Sequence, residues 1–452
     1  MKMTARFRFD RAWAVVLLIL VVAGCMPGDA DGISLQSRID AAAAAGGGTV
    51  VVPAGVHRSP ALRLKTGVTL HLEKGAVLKA GTNDIDYAAT DGHAFILAEG
   101  ADRVAIEGEG VVDGGGEAFP SGSLEVLQQP RLVWFRDCRD VRVENVTLRN
   151  GRRWTCFLDR CDGVLVRGVR IRSVLHKCCD GIDLECRNAL VENCTVETHD
   201  DAICFKARCS DYTVENVEVR NCTLASGCSL IKVGTETLGR LRNLNIHDCR
   251  CARLKEDMSE DRGSWPEFAA LGLPKTPFAY AGISLQVLDG GILEDVTVRD
   301  IDLGASALVP VFVRFGRRTK RIVPGASALR RVTIENVKGR GLSPIGCSVT
   351  GVPGLRPADI TLRNVDLVLR SDVAARAEPV PELEKGGAYV GMFGGVLPAW
   401  GFYLRHADRI AFENCRIRPS GPEARPCFVE EDCTAIVGAD ASVSGQARRK
   451  GL

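Results

Sequence analysis

Val141-Arg142-Val143-Glu144-Asn145-Val146-Thr147-Leu148 sets the frame of this chain: two alternating apolar residues, an Asn, an apolar residue, and another apolar residue two places on. Val217-Glu218-Val219-Arg220-Asn221-Cys222-Thr223-Leu224 and Ile410-Ala411-Phe412-Glu413-Asn414-Cys415-Arg416-Ile417 repeat it. The marker residue recurs at Gly108, Gly168, Asn193, Asp248, Asp300, Asn336 and Asn364. From Asn145 through Gly168, Asn193, Asn221 and Asp248 the markers stand 23 to 28 residues apart, which is the signature of a solenoid. The longer intervals hold inserted loops or an unmarked coil.

The repeating elements are strands, because the alternation has period two and is rich in Val, Ile and Thr, and no stretch between markers sustains an amphipathic helical pattern. A leucine-rich repeat would need a Leu-x-x-Leu-x-Leu frame, which is missing. The fold class expected is therefore all-β, a single right-handed parallel β-helix. Each marker turns the chain and can hydrogen-bond its counterpart on the next coil. Cys194, Cys222, Cys249 and Cys415 directly follow markers, where other repeats carry Val or Ile, so they read as small apolar core residues rather than a disulfide framework.

Both ends are legible. Lys2, Arg6, Arg8 and Arg11 precede an apolar run from Ala12 to Ala23, and Val22-Ala23-Gly24-Cys25 follows. This pattern reads as a bacterial lipoprotein signal over residues 1–25, cleaved before Cys25, which is then lipidated. The protein expected is thus exported and anchored to a membrane through that lipid. Residues 26–32 form a tether, and residues 33–441 the β-helix domain. Ser34 caps a helix carrying Leu35, Ile39, Ala42 and Ala43, stopped by Gly46-Gly47-Gly48, that covers the first coil. Residues 442–452 are a polar, basic tail expected to be disordered. Two long excursions, residues 251–282 with Trp265 and residues 371–400 with Trp400, interrupt the coils, and loops of that length commonly line sites.

Lys and Arg number 58 against 56 Asp and Glu, a net charge of +2. That balance points to no nucleic-acid partner and no globally attractive surface for polyanions, so an acidic ligand must be met locally. One solenoid buries a continuous core and needs no second domain; a monomer is expected.

The chemistry-bearing stretch is Cys178-Cys179-Asp180-Gly181-Ile182-Asp183, followed about one repeat later by His199-Asp200-Asp201-Ala202-Ile203-Cys204-Phe205-Lys206. Adjacent coils lie ~4.8 Å apart, so carboxylates on successive coils can flank one bond, an arrangement suited to glycosidic hydrolysis. Neighbouring like charges keep one acid protonated near neutrality. His176 and His199 with the nearby cysteines match no zinc spacing, and no metal and no cofactor are expected. Trp265 and Trp400 are candidate sugar platforms, while Trp154 reads as a core or rim residue.

At these residues the chain resembles glycoside hydrolase family 28, the polygalacturonase-like enzymes, from about Gly32 to Cys433. Gly46-Gly47-Gly48-Thr49-Val50-Val51-Val52-Pro53-Ala54-Gly55 and Ile106-Glu107-Gly108-Glu109-Gly110-Val111-Val112-Asp113-Gly114 look like that family's first coils. Asp180-Gly181-Ile182-Asp183 with Asp200-Asp201 and Lys206 is the more specific match. The resemblance implies a single-displacement, inverting mechanism in which Asp180 and Asp201 activate a water and Asp200 protonates the leaving oxygen. The family's Asn-Thr is Cys178-Cys179 here, its Gly-His-Gly is Gly227-Cys228-Ser229, and Ile283-Ser284-Leu285-Gln286 stands where Arg-Ile-Lys is usual. The absent residues include the usual contacts to galacturonate carboxylates.

Lys206, Lys232 and Arg314 either bind an acidic sugar or pair with the aspartates. Asp183 is placed with the substrate, and Glu236 either hydrogen-bonds sugar or partners Lys232. The function expected is hydrolysis of a polysaccharide or oligosaccharide, of pectic type. A polysaccharide lyase and a non-catalytic carbohydrate-binding solenoid are the alternatives.

Overall fold

The alternating segments form strands that stack coil upon coil, and every pairing between strands is parallel. The computed structural model describes residues 34–119, 129–255, 278–318, 327–371, 373, 378–383, 385–438 and 449–450. Each coil contributes to three faces. On the first, Val104, Val141, Val164, Ala189, Val217, Leu244, Val296, Val332, Ile360 and Ile410 stand in one column. On the second, Leu78, Val112, Leu148, Ile171, Val196 and Leu224 do the same. On the third, the inward column is Ile96, Val133, Cys156, Ile182, Ile203, Ile231, Ile283 and Val311. These columns are buried and meet along the solenoid axis. Each fully buried Val, Ile or Leu contributes about 1.5–3 kcal/mol, so the repeat itself is the core.

The markers turn as expected. Asn145, Asn193, Asn221, Asp248, Asp300, Asn336, Asn364 and Asn414 all adopt positive φ, between 51° and 62°, the left-handed region that short polar side chains tolerate. Asn414 donates to Asn364 at 2.7 Å, Asn364 to Asn336 at 2.9 Å, and Asn336 to Asp300 at 2.8 Å, a ladder along one edge. Cys194, Cys222, Cys249 and Cys415 are buried, and all seventeen described cysteines are free thiols.

The long marker intervals contain no extra coil: Leu244 pairs with Val296, and Ile360 with Ile410, so each is one turn carrying an insertion. The helix Leu35–Ala44 caps the first coil, with Ser34 Oγ accepting from the Ser37 amide at 3.1 Å and Ile39 fully buried. Of the tail over residues 442–452, all but two residues lie outside the described residues. Arg449–Lys450 form a short strand beside Phe428–Glu431, because the last coil presents an open edge that accepts another strand. Among the described residues no helix is long and apolar enough to cross a membrane. Cys25, the rest of the signal and Trp265 lie outside the described residues.

Candidate functional site

The third face carries the site because its outward column switches from apolar to ionic. Reading along the coils, that column runs Leu97, Trp134, Phe157, Asp183, Cys204, Lys232, Ser284, Phe312. At the turn leading into this face, the Gly181 amide donates to Asp201 O at 2.8 Å and the Ile182 amide to Ala202 O at 3.0 Å, which sets Asp180 opposite Asp201. Gly181 permits that approach: a Cβ there would stand 2.4 Å from Ala202 O and 2.4 Å from a Val196 methyl. The two carboxylates on successive coils are thus brought together as the sequence implied.

Two ammonium groups hold the cluster. Lys206 Nζ lies 3.0 Å from Asp180, 3.3 Å from Asp183 and 3.4 Å from Glu236, and Lys232 Nζ lies 3.5 Å from Asp201. Both lysines are buried, so each would be costly without these partners. Burial and the facing Asp183 push Asp180 well above the usual carboxylate range, with Lys206 pulling against them. Burial raises Asp183 too, again opposed by Lys206. Asp200 is half-buried; desolvation and its neighbour Asp201 push it up to about 6. Burial acts to raise Glu236, yet Lys206 and Arg318 bring it down to about 2. Asp183 Oδ1 faces the Lys206 ammonium, whereas Asp201 Oδ1 is buried and accepts no hydrogen bond among the described residues.

Glu236 therefore partners Lys206, not Lys232. The cause is a register shift: Phe205 pairs with Val233 but Ala207 with Thr237, so residues 234–236 bulge and swing Glu236 toward Lys206. Arg318, 3.7 Å away, completes that pair from a later coil. Tyr389, in the excursion after residue 371, brings its ring to 5.0 Å from Lys232 Nζ. Nothing in its local sequence marks it, because only the return of a distant loop over this face brings it there.

Two expectations fail. Trp400 is 1 % exposed and packs in the main core, so it is no sugar platform; its part of the loop folds inward. Arg314 reaches none of the aspartates: its terminal nitrogens donate to Gly351 O and Leu383 O, each at 2.8 Å. It clamps the loop that carries Tyr389. Trp154, as expected, is a rim residue, with Lys206 Nζ 4.4 Å from its ring centroid.

Two groups of donor atoms are close enough to share a cation, Asp180 with Asp183 and Cys204, and Asp200 with Asp201 and Cys228. Neither suits a metal. Burial holds both thiols well above their usual pKa, so they are poor ligands, and each group already has an ammonium against it. His176 Nε2 donates to Gly116 O, 2.7 Å away, outside both groups.

Residues 45–256 match the family model for glycosyl hydrolases family 28, a stretch that includes every aspartate and both lysines of the site. No curated protein matches the chain. Among solved structures, an exopolygalacturonase from Thermotoga maritima is 19 % identical over 87 % of this chain and 88 % of its own, with a TM-score of 0.60. A family 28 exopolygalacturonase from Yersinia enterocolitica is 17 % identical over 90 % of this chain and 76 % of its own, at 0.63. PfbA, a surface adhesin of Streptococcus pneumoniae, is 12 % identical over 89 % and 88 %, at 0.55. At these identities the likeness is one of fold, and the same fold serves both enzymes and an adhesin.

Proposed function

We propose that the protein is a polygalacturonase-like glycoside hydrolase of family 28 that cleaves a pectic polysaccharide by inversion, without a cofactor. The in-register pair Asp180 and Asp201, with Asp200 beside it, carries this assignment. Asp200, with a pKa of about 6, retains its proton in mildly acidic medium and gives it to the leaving glycosidic oxygen. As that carbon–oxygen bond breaks, a water oxygen bonds to the anomeric carbon from the opposite side, and the water's proton passes to Asp201. Asp180, sharing Lys206 with Asp183, holds the water in line.

The family match over residues 45–256 supports the assignment, as do the two exopolygalacturonases of similar fold. A lyase would instead need a base set to take a carbon-bound proton, whereas the groups gathered here are acids with ammonium partners. Location belongs to the same proposal: Val22-Ala23-Gly24-Cys25 directs export and lipid anchoring, which holds the hydrolase at a membrane surface where it meets glycan.

The test is a glycan panel offered to the protein and to Asp200→Asn, reading new reducing ends. Release from a pectic glycan by the parent alone supports the assignment. Release by neither, with the glycan nonetheless bound, makes the protein a binding solenoid.

A further inference from the structure

Two coils before Asp180, on the same outward face, lies a guanidinium without an anion. Trp154 stands opposite Asp180, since the Thr155 amide donates to Asp180 O at 2.9 Å, and Arg131 stands opposite Trp154, since the Leu132 amide donates to Trp154 O at 3.3 Å. Arg131, Trp154, Asp180 and Asp201 thus form one column spaced by the inter-strand distance, which puts Arg131 roughly 10 Å from Asp180. Its guanidinium carbon lies 4.3 Å from the Trp134 ring centroid, 4.9 Å from Trp154 and 5.5 Å from Phe157. Only one indole, that of Trp154, separates it from Lys206.

Arg131 is 8 % exposed, its Nε is buried without a hydrogen-bond partner, and among the described residues no carboxylate pairs with it. The acids nearby are already engaged. Asp159 receives Arg208 at 2.7 Å and Trp134 Nε1 at 3.1 Å, and Asp183 has Lys206. Burial, with Arg153 and Arg208 adding like charge, lowers the Arg131 pKa to about 10, so the group is still cationic at neutral pH. Neighbouring arginines show the ordinary solution: Arg208 and Arg160 each hold carboxylates. A cation this buried is retained at a cost unless something outside the chain pairs with it.

We propose that Arg131 is the residue that recognises the carboxylate of a uronic acid in the substrate, on the N-terminal side of the aspartates. This rests on the hydrolase assignment for the identity of the groove. A guanidinium presents a planar fork that matches a carboxylate with two parallel hydrogen bonds, and the aromatic rings packed around it hold that fork in place. Arg131 thereby takes over the acid-binding role for which Ile283-Ser284-Leu285-Gln286 has no basic residue.

The test is calorimetric binding of trigalacturonate, and of the same trimer with its carboxyl groups reduced to alcohols, to Asp200→Asn and to Asp200→Asn/Arg131→Gln. Arg131→Gln is expected to lose at least tenfold in affinity for the charged trimer, to leave the reduced trimer unchanged, and to melt no lower than its parent. If Arg131→Gln folds poorly, Arg131→Lys, which keeps stem and charge but not the fork, must lose several-fold for the charged trimer alone. Equal loss for both trimers, or no preference for the charged one in the parent, overturns the proposal. Arg131-dependent binding of the charged trimer, with no cleavage of it by the protein that keeps Asp200, would leave the anion subsite standing and remove the hydrolase assignment. Cleavage of neutral glycans only would do the reverse.

Discussion

Lys206 Nζ stands 3.0 Å from an Asp180 carboxylate oxygen, with both residues buried. The same ammonium also faces Asp183 and Glu236, so one cation balances three acids of the site. Removing it strands their charge. Lys206→Met is expected to cost roughly 3–5 kcal/mol, the size of breaking a buried ion pair by deleting one partner. The loss should shrink at acidic pH, where Asp180 and Asp183, whose pKa values burial raises, take up protons. Urea midpoints of parent and variant at pH 7 and pH 4 measure this; an equal loss at both would contradict it.

Asp200 links activity and stability with opposite signs. Its pKa rises from 3.8 to about 6 on folding, so the folded state binds its proton more tightly than the unfolded chain. That stabilises the fold below about pH 4 relative to higher pH, and the benefit is lost as pH rises to about 6. Above that, the ionised group costs up to about 3 kcal/mol. Asp200→Asn should therefore abolish turnover while raising the melting temperature at pH 7 and leaving it nearly unchanged at pH 4. Thermal melts at the two pH values, beside an activity assay, check both halves.

The pH profile follows from the same group. An acid that must be protonated to act loses function as pH passes its pKa, so kcat/KM should fall about tenfold per unit above roughly pH 6. A profile flat to pH 8 would mean that Asp200 is not the proton donor.

Asp180→Asn and Asp201→Asn should each lower kcat by at least ~100-fold, the scale of losing a base or the carboxylate that orients its water. Single-turnover assays with folded variants read this directly. If Asp180→Asn alone were silent, water positioning would belong to Asp201 and Lys232.

Cys25→Ser is expected to block lipidation and maturation, leaving the signal uncleaved. Mass spectrometry of the membrane fraction should find the parent acylated at Cys25 and the variant without an acyl chain. Parent protein freely soluble in the periplasm would contradict the anchor.

Period-two alternation and the Asn markers made the coils legible, because each marker must adopt the left-handed turn whatever surrounds it. Asp180 and Asp201 were legible for a related reason: in a solenoid, residues about one repeat apart stack. The insertions were not. Trp400 sits among loop-type residues yet is buried, since proline and glycine content tells where a chain turns but not toward which side. Arg314 looked like an anion binder, and the carbonyls it clamps come from a distant loop. Glu236 read as either a sugar contact or the partner of Lys232, and a bulge invisible in residue spacing turns it to Lys206 instead. Arg131 begins an ordinary strand, and only the missing counter-ion in three dimensions distinguishes it.

Proton NMR of the first product released from a pectic oligosaccharide tests the arrangement of Asp180, Asp200 and Asp201 most directly. Inversion through a water held between carboxylates ~6.5–9.5 Å apart predicts a first product of opposite anomeric configuration, carrying one oxygen from labelled water. A first product with retained configuration, or an unsaturated, ultraviolet-absorbing sugar with no label, would contradict Asp200 as acid and Asp201 with Asp180 as the water-activating pair.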